Sequence, residues 1–424
     1  MPEKYLRRVI DERFENQLNA FGAICLRGPK WCGKTTTASR YAKSRILMQG
    51  KDAKAYLKAA DTDLSLILDG PTPRLIDEWQ EYPQIWDSVR YEVDERNDVG
   101  QFILTGSSAP KEGSMKHSGA GRFGFLDMYP MSLFESGESN GTVSLRDLFS
   151  GTADLRGATT ELTVRKLAEC ICRGGWPQAT KLNGEDALVQ SYDYVDAVVR
   201  EDINRADGIQ RDETRVRLLL RSYARHQGSA APYPTIRDDI KANDSMDLSE
   251  DTIMSYIKAL KRIFVVEDCE AWSPNLRSKT AIRTSDTRYF VDPSIATAAL
   301  GVGPGDLIND LNTCGLLFET LCMRDLRVFA DFLQGEVRHF RTKEGLECDA
   351  VVHLRNGSYG LIEIKLGGDK LIEEGAETLK AVRDKIDTTK MKNPSFLMVL
   401  TGNSPFAYRR EDGVYVVPIG CLRQ

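Results

Sequence analysis

The stretch Gly28-Pro29-Lys30-Trp31-Cys32-Gly33-Lys34-Thr35 fits the spacing G-x-x-x-x-G-K-[ST], and few short motifs restrict a fold as tightly. It directly follows the apolar run Ala23-Ile-Cys-Leu26 and opens a helix-compatible segment from Thr35 to Ala42. Strand, glycine-bearing loop and helix in that order form a cradle whose backbone N–H groups converge on phosphate oxygens, and the helix start adds the positive end of its dipole. Lys34 is expected to bridge the β- and γ-phosphates, and the Thr35 hydroxyl to complete a Mg²⁺ shell. Gly28, Pro29, Lys30, Trp31, Cys32, Gly33, Lys34, Thr35 and Thr36 are therefore the expected nucleotide contacts, with ATP and Mg²⁺ as the expected ligands.

Three further signals lie downstream. Leu75-Ile76-Asp77-Glu78 places two acids at the end of an apolar strand, ~40 residues after the loop, as a Walker B pair does. Asp77 is expected to hold Mg²⁺ and Glu78 to orient the attacking water. Thr105 ends the run Phe102-Ile-Leu-Thr, where a polar side chain on a central strand senses the γ-phosphate; a strand capped by a turn gives the same pattern. Arg122, in Gly119-Ala-Gly-Arg122, is a candidate for stabilising charge on the transferred phosphoryl group, in cis or across a subunit interface.

Repeated strand-then-helix order over the first ~150 residues predicts a parallel sheet covered on both faces. A chain of 424 residues exceeds one ordinary core, and three segments are expected: an α/β ATPase-type domain over 1–150, a helical and winged-helix-like region over 151–300, and an α/β domain over 301–424. Gly, Ser and Asn thicken between Ser136 and Gly157, which suggests a boundary or a mobile connection. An apolar fraction of 41% and a charged fraction of 28% describe a folded chain, and a net charge of -5 argues against a whole-molecule nucleic-acid clamp. No apolar run reaches membrane-spanning length and no secretory leader is visible, so a cytoplasmic protein without a membrane partner is expected. The nine cysteines are read as core residues of a reduced protein, and the four histidines (His117, His226, His339, His353) show no ligand spacing.

In the middle region, helices followed by Phe264-Val-Val266 and Arg288-Tyr-Phe-Val291 are similar in order to a winged helix. Arg217, Arg221 and Arg225 recur every four residues and form one helix stripe, either a phosphate-facing surface or a solvated face. Gly174-Gly-Trp-Pro177 reads as a turn that docks Trp176 into a core.

Together these motifs, with Ile76-Asp-Glu-Trp-Gln80, Gly121-Arg-Phe123, Gly174-Gly-Trp-Pro177 and Glu363-Ile-Lys365, resemble a family of prokaryotic AAA-type P-loop ATPases. Members pair an N-terminal ATPase with a C-terminal domain on a restriction-endonuclease-like core. The family carries Arg-Gln-Val where this loop reads Lys30-Trp-Cys32. The resemblance implies ATP binding and a C-terminal domain that engages nucleic acid or protein.

Asp349 and Glu363-Ile-Lys365 resemble the D…(D/E)-x-K core of such nucleases, in which two carboxylates hold Mg²⁺ and a lysine positions water. Glu363 and Lys365 share one strand face. An Asn-Gly loop after Arg355 pairs Asp349 with Ile364, whereas an Asn-Gly-Ser loop pairs it with Lys365. Glu319 is a further candidate ligand. Common exposed charges give the same pattern, and a binding-only domain is the expected outcome.

The leading expectation is an ATP-driven switch or remodeller. A scaffold organised by ATP, with little turnover, is the alternative. A small-molecule kinase shares the loop but not the Asp77-Glu78 pair. An Arg122 acting in trans requires an oligomer.

Overall fold

The computed structural model describes residues 5–109, 113, 117–244, 246–274, 285–387, 389 and 391–424. They divide into two compact units. One comprises Met1–Pro130, Asp202–Gln210 and Ala259–Phe264, the other Met131–Glu201, Arg211–Lys258 and Val265–Gln424.

The first unit is built on five strands, β1 (Ala23–Arg27), β2 (Ser44–Leu47), β3 (Arg74–Asp77), β4 (Phe102–Gly106) and β5 (Phe123–Asp127). All pair in parallel, in the order β2-β3-β4-β1-β5. The continuous apolar runs of β1, β3 and β4 follow from burial on both faces. Ile24, Leu26, Leu75 and Ile103 pack with Phe14 and Cys32 on one side. Cys25, Ile76 and Leu104 pack with Trp79 and Trp86 on the other. Register places Thr105 beside both Leu26 and Asp77, so β1, β3 and β4 end side by side.

The second unit begins at Met131, earlier than composition suggests. The Ser- and Gly-rich stretch is not a connection, because its residues are helix caps. Ser132 forms a capping box for the helix Leu133–Ser136 and Ser144 caps Leu145–Ser150, while Gly137 and Gly151 take left-handed conformations at the helix ends. Strand β6 (Val143–Ser144) later pairs in parallel with the last strand of the chain, Leu422–Arg423, and Ser139 Oγ donates to Leu422 O at 2.7 Å.

The helices Glu213–Arg225, Tyr233–Asp244 and Glu250–Arg262 follow in sequence. The two strands expected after them reduce to isolated antiparallel bridges, Val266 with Phe290 and Cys269 with Thr287. The larger sheet holds β7 (Gly335–Arg341), β8 (Glu347–Leu354), β9 (Tyr359–Lys365), β10 (Phe396–Thr401), β11 (Tyr408–Arg409) and β12 (Tyr415–Pro418). Its order is β11-β12-β10-β9-β8-β7, with the final strand β13 (Leu422–Arg423) lying outside it. The β9–β10 and β10–β12 pairs are parallel and the others antiparallel. Ile372, Ala376, Leu379 and Val382 of the helix Asp369–Lys385 bury against Val351, Leu361 and Val399.

Trp176 docks as its turn suggests, 1% exposed, with Nε1 donating to Ser294 Oγ at 2.9 Å. Beside it lies a fully buried charge network. Arg324 donates to Asp292 at 2.9 Å and to Asp325 at 2.7 Å; Gly175 N–H donates to Asp292, and Leu133 N–H to Asp325. A Cβ on Gly175 would stand 2.1 Å from Met131 O, so only glycine fits there. Among the described residues no helix is long and apolar enough to cross a membrane, and all nine cysteines are buried and unpaired.

Candidate nucleotide site and C-terminal carboxylate cluster

The loop after β1 turns through Gly28 (φ 150°), Trp31 (φ 66°) and Gly33 (φ 102°), left-handed backbone that costs a glycine little. A Cβ on Gly28 would meet Met128 O at 2.1 Å. Gly33 leads directly into the helix Lys34–Tyr41. Lys34 is 4% exposed, and its Nζ donates to Gly28 O (3.0 Å) and Pro29 O (2.8 Å), arching over the loop. Cys32 is buried, Trp31 half-exposed and Thr36 exposed. Arg8 braces the loop from below, donating to Cys32 O and Tyr129 O at 2.8 Å each. Sequence carried no signal for Arg8, because its targets are backbone carbonyls distant along the chain.

Asp77 sits where β3 ends. Its Oδ1 accepts the Thr35 hydroxyl at 2.8 Å and also the Thr105 hydroxyl. Burial pushes its carboxyl above the usual range, while the Thr105 and Thr35 hydrogen bonds pull it back down. Glu78 holds a left-handed conformation, φ 54°, rare for a non-glycine residue and concentrated at functional sites. Its Oε2 accepts Ser107 N–H (3.2 Å), Ser107 Oγ–H (2.7 Å) and the Gln80 amide. The Ser107 and Gln80 roles were missed in sequence, although both residues lie inside recognised motifs.

Arg122 is not brought to the loop of its own chain. Its carbonyl accepts Ala23 N–H at the start of β1, whereas the loop follows the end of that five-residue strand. The two stand at opposite ends of these adjacent strands, roughly 16 Å apart at strand rise. Arg122 is instead ion-paired with Asp94 at 2.7 Å.

In the second unit the β8–β9 hairpin turns on Arg355-Asn-Gly357, with Leu354 N–H donating to Ser358 O at 2.8 Å. Neither expected register occurs. Ala350 pairs with Ile362, which sets Asp349 level with Glu363 on one face. The Asp349 carboxylate accepts Ile364 N–H at 2.7 Å and Lys365 Nζ–H at 3.1 Å, and Lys365 Nζ lies 2.6 Å from Glu363 Oε2. Strand β9 is buried on both faces, so Glu363 is covered as fully as Ile362. Burial, then the Asp349 charge, pushes both Glu363 and Glu319 up to about 8, and Tyr289 donates its hydroxyl to Glu319. The paired carboxylates raise the Lys365 ammonium despite its burial.

The arginine stripe is partly ion-paired and largely solvent-facing. Arg217 pairs with Asp196 at 2.8 Å and Arg225 with Asp239 at 2.5 Å, while Arg221 is exposed.

Residues 20–136 match the family described as AAA domain. This segment is a P-loop domain of the AAA ATPase type. Residues 164–306 and 314–422 match two domains of unknown function, DUF8612 and DUF4143. The chain is similar to the uncharacterised proteins Rv2008c of Mycobacterium tuberculosis and Mb2031c of Mycobacterium bovis, each 24% identical over 85% of this chain and 74% of the relative. Among solved structures, the Walker-type ATPase PABY2304 of Pyrococcus abyssi aligns with a TM-score of 0.42 at 12% identity, over 70% of this chain and 97% of that one. The RuvB Holliday junction branch migration motor of Thermotoga maritima aligns with a TM-score of 0.27 at 17% identity, over 61% of this chain and 88% of that one.

Proposed function

We propose that the first unit binds and hydrolyses Mg-ATP, and that the chain works as a nucleotide-controlled switch or remodeller whose C-terminal half engages nucleic acid or a protein. The observation that carries this reading is the convergence of Thr35 and Thr105 on one carboxylate oxygen of Asp77, beside Glu78 and the phosphate loop. A hydroxyl and a half-buried carboxylate in contact form a donor set that suits Mg²⁺, so Thr35 and Asp77 are the residues that would hold it. Bound there, the ion would neutralise phosphate charge. The loop N–H groups and Lys34 bind the β- and γ-phosphates, Lys34 exchanging its two carbonyl partners for phosphate oxygens. Thr105 keeps Asp77 oriented and ionised. The hydrogen bonds from Ser107 and Gln80 all fall on Glu78 Oε2, so Oε1 is the oxygen assigned to orient the water that attacks the γ-phosphoryl group and displaces ADP.

The C-terminal cluster fits a metal poorly. Lys365 already bridges Asp349 and Glu363, and among the described residues no group of three acidic, His or Cys side chains is arranged to hold an ion. A binding domain with an internally neutralised charge cluster is the reading this supports, and no cleavage step is assigned to it. Phosphate release from Mg-ATP tests the proposal. Glu78→Gln is expected to keep nucleotide affinity and lose turnover by about 10²-fold or more. Wild-type protein that binds ATP without releasing phosphate favours the scaffold instead.

A further inference from the structure

The arch of the phosphate loop carries a second lysine whose partner comes from far along the chain. Lys30 Nζ donates to Asp202 Oδ1 at 2.5 Å. The Asp202 side chain is 9% exposed and that of Lys30 is 32% exposed. Asp202 ends a π-helical turn, Val198–Asp202, set between the helices Gly184–Ala197 and Ile203–Arg205. It also opens the stretch Asp202–Gln210, which packs within the same compact unit as the loop. Wide turns of this kind inside helical runs are frequent at functional sites.

Charge gives the pair a consequence. A nucleoside triphosphate is a polyanion, so a carboxylate held against the loop opposes its binding and an ammonium there favours it. Paired, the two largely cancel at a distance. We propose that Asp202 masks Lys30, so that nucleotide meets a loop with its second cation neutralised, and that affinity rises when Asp202 is withdrawn. Asp202 is thereby a positioning residue acting through Lys30. This rests on the nucleotide site proposed above.

Titration of the full chain with Mg-ATPγS tests it. Asp202→Asn is expected to lower Kd about tenfold and Lys30→Met to raise it about tenfold, with the double variant between them. The gain in Asp202→Asn shrinks as ionic strength rises. Asp202→Ser, which cannot mimic the carboxamide, must move Kd in the same direction, and thermal melts establish that each variant folds. An unchanged or raised Kd in Asp202→Asn, with wild type binding and Lys34→Ala not binding, overturns the mask and leaves the nucleotide site standing. Wild-type protein that takes up no ATPγS overturns both.

Discussion

Replacing Thr105 by Val removes one hydroxyl and almost nothing of the shape of β4, where Thr105 is fully buried. The lost contact is a hydrogen bond to the Asp77 carboxylate, which then keeps the Thr35 hydroxyl at 2.8 Å. Hydrogen bonds to a charged acceptor are worth ~1.5–3 kcal/mol. At about 1.4 kcal/mol per factor of ten, turnover should fall roughly 10- to 100-fold. The same loss has a second signature. Burial raises the Asp77 carboxyl and the Thr105 bond is the first influence that lowers it. Activity that needs ionised Asp77 is present above its folded pKa and fades as pH falls through it, so losing the bond moves the acid limb to higher pH. Phosphate release at saturating Mg-ATP, measured from about pH 5 to 9, reads both effects. A Thr105→Val protein with the wild-type rate and an unmoved acid limb would refute the role given to this contact.

Arg324→Met strands Asp292 and Asp325 as buried charges, a loss of about 3–5 kcal/mol. At roughly 2 °C per kcal/mol for a unit of this size, calorimetry should show a Tm lower by roughly 6–10 °C. Glu319 and Glu363 titrate in the folded unit near about 8, above their unfolded range. Their stabilising protons are fully held below the ordinary carboxyl pKa and lost as pH rises through about 8, so Tm should fall across that window. Glu319→Gln should flatten this slope, and an equally steep Tm–pH curve in the variant contradicts the assignment.

What was legible in the sequence was local. The phosphate loop declares itself because its spacing, preceding strand and following helix all fall within a few residues. Asp77 and Thr105 could be read because each ends an apolar run, and parallel pairing of such runs aligns their ends. Arg122 was not legible, since a motif does not say at which end of the strands it stands, and β5 starts where β1 starts. The hairpin register escaped because Arg355, rather than Ser358, completes the loop, which moves the partner of Asp349 by two residues, from Lys365 to Glu363, on the same face. The Ser136–Gly157 stretch looked like a boundary or a mobile connection because caps and linkers draw on the same residues. The arginine stripe read as a phosphate-facing surface or a solvated face, and the carboxylate partners of Arg217 and Arg225 were not legible because they lie on other helices. The Lys30–Asp202 pair spans 172 residues, beyond any local pattern.

Isothermal titration of the purified full chain with Mg-ATP addresses the core of the account directly, because everything else depends on the loop taking up a triphosphate. Wild-type protein should bind one nucleotide, and Lys34→Ala, with unchanged folding, should bind none that the titration detects. A wild-type protein that takes up no nucleoside triphosphate, or a Lys34→Ala protein that binds it equally well, would contradict the account.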